Sequence, residues 1–476
     1  MMKKKKTISS IILLLVSLAS FLFVFFMTYN GGKSNDGNFS IINAHGSAGI
    51  ESNNVESSAQ DTANTIGFSN VTNLTDDPND SAYGQVAASE NNVYVVWEGS
   101  TTPDLSNRNY DIYFKKSADR GESLARNSNS DSDTDTTEVL NLSNNPGFSE
   151  HPQIAAYKEK VHVGWVDNTL GNKEILFARS MDNGTTFSEA INLSNTTNTS
   201  SRNLELASFE DYVYAVWLDE DEQGNGIILF KASNDGGETF SNPITIARNV
   251  NNNDDFTFPK VAAYGNNVYI VWSVADNTQG EEMITNLLYV KSSDQGNTFS
   301  PTIKLNNNGE KVGEAQVTAY KNAVYVAWGS SPYDEVVSNL FFIKSTDNGN
   351  TFSNATEVRN ENFVNPSNVE IMVINNNNGE NSGEQSLSSS SLPSSEQPPS
   401  HVYIASQVPQ PNENEEIFLA SSSDNGDTFS QITNNLSRNL DISECPSIAA
   451  SANNLYVVWQ DRTPGNNEIL FTKANT

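Results

Sequence analysis

The chain has 476 residues, of which 58 are acidic and 27 are basic, and its formal net charge is -31. A charge of this sign and size disfavours association with nucleic acid or anionic lipid, and it leaves cations and neutral glycans as better partners. Because the charge is spread along the sequence, a solvated acidic surface adapted to salt is an alternative explanation. Cys445 is the only cysteine, which excludes an intrachain disulfide.

The N-terminal segment predicts export. Residues 8–27 are nearly all apolar, and at about 1.5 Å per residue they are long enough to cross a bilayer core. Lys3 to Lys6 precede them and place the N-terminus in the cytoplasm. The nearest small-x-small site, Ala44 to Gly46, lies far downstream, which favours an uncleaved anchor over residues 1–27 rather than a cleaved signal peptide. We therefore expect a protein on the extracellular face of the membrane, or a secreted one if cleavage occurs.

The segment that follows the anchor is residues 28–66. It is rich in Asn, Ser and Gly and has few large apolar side chains, so it predicts a disordered tether. The membrane is then contacted through the N-terminal segment only.

A strand pattern recurs from residue 93 onward. Short apolar strands end in Trp at Val93 to Trp97, Val161 to Trp165, Val213 to Trp217, Val268 to Trp272, Val324 to Trp328 and Leu455 to Trp459. Val402 to Ser406 is a seventh copy without Trp, and each copy has a short strand before it and another after it. Trp97 shares a strand face with Val93 and Val95, so we expect these Trp side chains to be buried between sheets.

An eight-residue motif, Ser-x-Asp-x-Gly-x-Thr-Phe, follows the third strand of most repeats. Its copies are Ser180 to Phe187, Ser233 to Phe240, Ser292 to Phe299, Ser345 to Phe352, Ser422 to Phe429 and a degraded Ser117 to Leu124. The carboxylate can accept backbone N–H groups of its own turn, Gly supplies a positive φ, and Phe anchors the turn by packing. We therefore predict a structural role for the motif aspartates, which are Asp119, Asp182, Asp235, Asp294, Asp347 and Asp424.

The motif resembles the Asp-box, or BNR repeat, of sialidase-like β-propellers. The resemblance covers about residues 68–476 and implies a propeller fold. It also implies, for sialidases, three Arg residues that hold the sialate carboxylate, a Tyr nucleophile assisted by a Glu, and an Asp acid/base. The Arg-Ile-Pro signature that usually opens a sialidase catalytic domain is absent from this sequence.

The ends of the chain predict seven blades rather than the six of sialidases. The chain ends at a third strand, Glu468 to Thr472, while Phe68 to Thr75 reads as a fourth strand with no blade before it. We predict an all-β fold over residues 67–476: a seven-bladed propeller of four-stranded antiparallel blades, closed by the N-terminal strand completing the last blade. Residues 375–400 interrupt blade six and have no core-forming pattern, so they predict a disordered insertion.

The loops that join second to third strands, and fourth strands to the next first strand, share the face where propellers bind ligands by default. Among the Arg residues that this face should carry, Arg202, Arg438 and Arg462 are the candidates that the sialidase resemblance suggests for a catalytic site. With many acidic residues in the same loops, a pair of carboxylates for a generic glycosidase is also available.

A calcium loop is suggested by Asp131, Asp133 and Asp135. Thr136 stands where the turn Gly of such a loop should be, and Leu142 stands where its bidentate Glu should be. The sequence therefore requires no cofactor, and it leaves calcium at this place as an alternative to a solvated acidic insertion.

Two functions remain open at this point. The first is an exported, cell-surface propeller, expected to be a monomer, that binds glycans or surface proteins without catalysis. The second is an exo-sialidase or other glycoside hydrolase acting on extracellular glycans. Export and the missing signature favour the first, whereas the boxes and the Arg residues favour the second.

Overall fold

The computed structural model describes residues 66–476 except 77, 103–108, 126–137, 197–198, 221–224, 249–254, 257, 277–283, 307–309, 333–337, 359–364, 376–399, 411–413, 431–433 and 452. The predicted anchor, nearly all of the tether and all but the ends of the predicted insertion at 375–400 lie outside the described residues. The described residues fall within one compact unit, 62–476. No helix in them is long and apolar enough to cross a membrane.

The regular secondary structure of the described residues consists of strands of two to eleven residues. In chain order they are β1 (Thr72–Asn73), β2 (Ser81–Ser89), β3 (Asn92–Ser100), β4 (Tyr110–Ser117), β5 (Leu140–Asn141), β6 (Ser149–Tyr157), β7 (Lys160–Asp167), β8 (Glu174–Ser180), β9 (Ile191–Asn192), β10 (Arg202–Phe209), β11 (Tyr212–Glu220), β12 (Gly226–Ser233), β13 (Ile244–Arg248), β14 (Asp255–Phe256), β15 (Lys260–Tyr264), β16 (Asn267–Asp276), β17 (Ile284–Ser292), β18 (Ile303–Lys304), β19 (Glu310–Tyr320), β20 (Ala323–Pro332), β21 (Asn339–Ser345), β22 (Thr356–Glu357), β23 (Ser367–Asn375), β24 (Ser400–Pro409), β25 (Glu415–Ser422), β26 (Asn434–Asn435), β27 (Ser443–Ser451), β28 (Asn454–Asp461) and β29 (Glu468–Asn475).

The strands form seven antiparallel sheets, which are the blades of the predicted propeller. Blades one to seven begin with β2, β6, β10, β14, β19, β23 and β27. In blade four the first strand is divided into β14 and β15, which both pair with β16. Pro259 lies at this division and has no N–H to donate to a neighbouring strand, which accounts for the break.

The N-terminal strand closes the ring as predicted. β1 pairs antiparallel with β29, with Thr72 opposite Phe471 and Asn73 opposite Leu470. Further toward the N-terminus, the Ser69 amide donates to the Lys473 carbonyl at 2.8 Å. The last blade therefore takes its fourth strand from the start of the propeller, and the sheet edge at β29 is covered.

The core lies between adjacent blades. One cluster, for example, combines Tyr269 and Val271 of blade four with Val326 and Trp328 of blade five. Five of the six Trp side chains are fully buried and Trp97 is 4% exposed, so the prediction that they lie between blades is confirmed. Alternating apolar residues on each strand form these interfaces because successive side chains point to opposite faces of a sheet.

The box turns join neighbouring blades. In the box of blade two, the Asp182 carboxylate accepts the amides of Thr185 and Thr186 at 3.0 and 2.9 Å. Gly184 has a φ of 70°, and a Cβ on it would lie 2.6 Å from the ring of Phe114 in blade one. Phe187 packs edge-on against the same ring, with centroids 4.9 Å apart. Gly is needed both for its backbone conformation and because the preceding blade leaves no room for a side chain.

Blade two departs from the repeat at one buried position. His162 is fully buried, and it occupies the strand position that holds Tyr94, Tyr214, Tyr269, Tyr325, Tyr403 and Tyr456 in the other blades. Burial lowers the pKa of His162 from 6.5 to about 4. The neutral imidazole is thus the form that the fold accepts.

We predict that His162→Tyr removes an acid-sensitive step from the stability of the protein. The folded pKa lies below the unfolded value, so the wild type loses stability as pH falls from 6.5 to 4. The loss amounts to about 3 kcal/mol below that window. Urea unfolding of wild type and variant across this range should show a difference that grows with acidity. A constant difference would contradict the assignment.

Candidate functional site

The first strands of the blades surround the axis of the ring. Each contacts the first strands of the blades on either side, through β2, β6, β10, β15, β19, β23 and β27 and back to β2. Each first strand begins at the end of the blade where the second strand joins the third. We call the opening of the ring at this end the upper mouth. Near the upper mouth the register between first and second strands is interrupted in the same way in blades one, two, three, six and seven.

At each of these interruptions one residue has a positive φ. These residues are Tyr83, His151, Asn203, Asn368 and Cys445, with φ between 47° and 54°. The left-handed region suits Asn but is costly for larger side chains. The backbone at this position is a structural feature of the blade, whereas the presence of Tyr and His there at an energetic cost suggests a use for their rings.

Blades seven, one and two share a polar arrangement that holds this backbone in place. In each case the acceptor is the side chain of the residue that follows the Trp position of a second strand. The donor is the backbone amide of the positive-φ residue in the next blade. Glu98 accepts from His151 at 2.7 Å, Gln460 accepts from Tyr83 at 3.3 Å, and Gln407 accepts from the Cys445 amide at 3.1 Å. A conformation supported in this way is preorganised.

Two aromatic rings meet at the upper mouth. The rings of Tyr83 and His151 have centroids 4.4 Å apart and a tilt of 54°. Tyr83 is 39% exposed, and the side chain of His151 is 48% exposed. These exposed rings therefore present a joint aromatic surface at the boundary of blades one and two.

Carboxylates surround the ring pair and shift its protonation. Burial, with a smaller effect of Glu150, raises the pKa of Glu98 to about 7. Burial together with the charges of Cys445, Glu98, Glu444 and Glu150 raises the pKa of Tyr83 to about 12. Burial also lowers the pKa of His151. At neutral pH the two rings are uncharged, and the Tyr83 hydroxyl is held far from ionisation.

A cluster of charged and polar side chains lies on the first strands of blades three to six, two positions after the positive-φ position. Lys260 of blade four contacts Glu205 of blade three at 3.1 Å, and Gln316 of blade five donates to Glu370 of blade six at 3.0 Å. Burial would lower the pKa of Lys260, but Glu205, Glu370 and Glu314 outweigh burial and raise it. We call Glu205, Lys260, Gln316 and Glu370, together with Glu314 two positions before Gln316 on β19, the channel cluster. Three carboxylates in it share one ammonium group.

The predicted Arg residues lie in three different blades, and each is bound within its own blade. Arg202 forms an ion pair with Glu220. Arg438 donates to the Asn435 carbonyl at 2.8 Å. Arg462 contacts Glu444 at 3.3 Å and Asn467 at 2.9 Å. Each guanidinium group is therefore engaged by polar groups of its own blade.

The other predicted site residues have simpler positions. Each box aspartate accepts hydrogen bonds from its own turn, as at Asp119, Asp182, Asp235, Asp294, Asp347 and Asp424. Asp131, Asp133 and Asp135 lie outside the described residues. Among the residues that are described, no group of three or more His, Cys, Asp or Glu side chains has a geometry that could hold a metal ion.

Tyr83 and His151 were not identified from the sequence. The repeats align Tyr83-Gly84-Gln85 with His151-Pro152-Gln153, so both residues occupy one position of the blade. A signal was present in that alignment, because residue type varies at this position while the flanking strand pattern is retained. What the alignment could not show is that the position has a positive φ and lies at the mouth of the ring.

The blades and their box turns define the class of protein: this is a seven-bladed β-propeller with Asp-box turns. No protein-family model and no curated protein matches the sequence.

Solved structures with a similar fold include an unknown-function protein from Dyadobacter fermentans, at 12% identity and a TM-score of 0.46, covering 85% of this chain and 99% of that one. Another is a mutant of Trypanosoma rangeli sialidase displaying trans-sialidase activity, at 10% identity and a TM-score of 0.44, covering 83% of this chain and 54% of that one. A third is a mutant α-L-arabinofuranosidase from Fusarium graminearum in complex with an iminosugar inhibitor, at 12% identity and a TM-score of 0.46, covering 68% and 92%.

Proposed function

We propose that this protein is an exported, cell-surface propeller that binds a glycan at the upper mouth without cleaving it. The observation that carries the proposal is the exposed ring pair of Tyr83 and His151, held in a strained backbone conformation by Glu98 and Gln460. Strain of this kind persists where the surroundings enforce it, and it is concentrated at functional sites.

The chemistry around the ring pair suits a neutral sugar. Aromatic faces stack against the apolar faces of sugar rings, and nearby carboxylates, such as those of Glu150 and Glu444, can accept hydrogen bonds from hydroxyl groups. The net charge of -31 disfavours an anionic ligand. A neutral glycan is therefore the ligand class that this site favours.

Two observations support binding without sialidase chemistry. The three predicted Arg residues already have polar partners in their own blades, and these partners would compete with a sialate carboxylate. A Tyr nucleophile would also need a lowered pKa, and the pKa of Tyr83 is raised to about 12. Export rests on the apolar segment 8–27 and the preceding lysines.

Binding is tested with Tyr83→Asn and His151→Asn in the full-length protein, in a detergent without a sugar headgroup. Asn already occupies this strained position at residues 203 and 368, so both variants should keep the backbone conformation. We expect each to lower affinity for neutral oligosaccharides by about fivefold, because stacking against one aromatic ring contributes about 1 kcal/mol. Isothermal titration calorimetry measures the change.

The matched control is Asn203→Gly, which changes the same blade position away from the ring pair. This variant should bind as wild type does. Unchanged affinity in both Asn variants would overturn the proposed site, and absence of binding to any neutral glycan would overturn the proposed function.

A glycoside hydrolase is a second candidate because of Glu98. Its side chain is 6% exposed and has a pKa of about 7, a value at which a carboxylic acid can donate a proton at neutral pH. Glu150, close enough to raise that pKa, is available as the second carboxylate. Turnover that is lost in Glu98→Gln would establish this function.

A further inference from the structure

The upper loop of blade two has a close copy in blade seven. In blade two, Asn145 and Ser149 donate to the Asp167 carboxylate at 2.6 and 2.8 Å. In blade seven, Asn439 and Ser443 donate to Asp461 at 2.5 and 2.8 Å. The same polar frame thus holds both loops, and each loop leads directly into a first strand.

The two loops differ in the side chains that they expose. Phe148 of blade two is 41% exposed and occupies the position of Ile442 in blade seven. The ring of Phe148 lies against that of Tyr110 in blade one, with centroids 6.4 Å apart. Blade two therefore displays an aromatic pair that blade seven lacks, at the same blade boundary as the pair of Tyr83 and His151.

Hydrogen bonds keep Phe148 at the surface. Its amide donates to the Asn168 side chain at 2.8 Å, and the Asn168 amide donates back to the Phe148 carbonyl at 3.1 Å. Gly147 donates to the Asn145 side chain at 3.0 Å. These bonds hold the loop backbone in place, and the exposed ring of Phe148 with that of Tyr110 forms an aromatic pair on which a ligand could stack.

The two aromatic pairs lie close together along the chain. Phe148 and His151 are three residues apart at the start of β6, so their Cα atoms are at most about 10 Å apart. Glu150 lies between them, and its charge is paired with that of Lys173. A neutral ligand with hydroxyl groups could stack on the aromatic rings and form hydrogen bonds with the ion pair of Glu150 and Lys173 between them.

We infer that the ligand is a neutral oligosaccharide that extends from the upper mouth along the boundary of blades one and two, with Tyr110 and Phe148 as a second subsite. The inference rests on the proposed function, since it assigns the first subsite to Tyr83 and His151. It adds that recognition depends on the number of linked sugar units.

The test measures affinity as a function of ligand length. Cello-oligosaccharides and N-acetylated chito-oligosaccharides of increasing length are titrated into the full-length protein by calorimetry. In at least one series we expect the wild type to gain about tenfold in affinity once the oligosaccharide is long enough to contact both aromatic pairs.

Phe148→Ile places the blade-seven residue in blade two without disturbing the frame. This variant should lose the gain for long oligosaccharides and keep the wild-type affinity for short ones, and the control Ile442→Ala should behave as wild type. Binding that is independent of length, or an equal loss for short and long ligands in Phe148→Ile, overturns the second subsite while leaving the proposed function in place. No binding of any member overturns both.

Discussion

Deleting residues 68–75 should lower the melting temperature of the propeller by on the order of 10 °C or more. The deletion removes β1 and with it the backbone pairing to β29, including the bond from the Leu74 amide to the Ile469 carbonyl at 2.8 Å. It also removes Leu74, which is 5% exposed and packs in the cluster that contains Trp97 and Ile469. The last blade would be left with an open edge and a cavity beside the first blade.

Point variants separate the contribution of packing from that of pairing. Leu74→Ala should cost about 2 to 5 kcal/mol of unfolding free energy, as large-to-small changes in a core do. Val71→Ala, at a neighbouring position that is 38% exposed, should change stability by less than about 0.5 kcal/mol. Differential scanning calorimetry measures all three proteins, and a deletion variant that melts with the wild type would contradict closure of the ring by β1.

Replacing Lys260 with Met should be the most destabilising single change in the channel cluster. The ammonium group of Lys260 is the shared counter-charge of Glu205, Glu314 and Glu370. Removing one partner of a buried ion pair leaves uncompensated charge and costs about 3 to 5 kcal/mol. We therefore expect Lys260→Met to unfold at much lower urea concentration than wild type at about pH 8.

The pH dependence of this loss has a definite sign. Burial raises the pKa of Glu205 and of Glu314, and it raises that of Glu370 to about 7. Burying these carboxyl groups costs least when they are protonated. The loss of unfolding free energy in Lys260→Met should therefore shrink as pH falls below 7. Urea unfolding at about pH 8 and about pH 5 measures the two penalties.

A double substitution provides the control for the cluster. Glu205→Gln together with Lys260→Met removes both charges of the closest pair, and it should recover part of the stability that Lys260→Met alone loses. A penalty for Lys260→Met that is the same at both pH values, and that the second substitution does not reduce, would mean that the loss comes from packing rather than charge.

The fold was predictable because its determinants are local and repeated. The box turn requires only Ser, Asp, Gly and Phe at fixed spacing, and each copy, such as Ser180 to Phe187, repeats the same hydrogen bonds. The strand ending in Trp165 predicts its own burial from the alternation of its neighbours. Closure by Phe68 to Thr75 followed from an incomplete last repeat.

The site was not predictable in the same way because it depends on contacts between blades. Tyr83 and His151 are far apart in sequence and meet only when blades one and two are adjacent in the ring. The raised pKa of Glu98 depends on its burial, and its hydrogen-bond donor, the His151 amide, lies in the next blade, so no local pattern encodes this environment. The choice of Arg202, Arg438 and Arg462 followed the sialidase resemblance and the face of the blade, but the direction of each side chain is set by partners such as Glu220.

Binding without cleavage is tested most directly by measuring binding and turnover in one experiment. The full-length protein is incubated with a fluorogenic sialoside and with the neutral oligosaccharides that it binds, at about pH 5 and about pH 7, which bracket the range in which Glu98 could act as an acid. If the upper mouth binds glycans without cleaving them, neutral oligosaccharides are bound and recovered intact, and the sialoside releases no product. Product release by the wild type that disappears in Glu98→Gln would contradict binding without cleavage and identify the protein as a glycoside hydrolase.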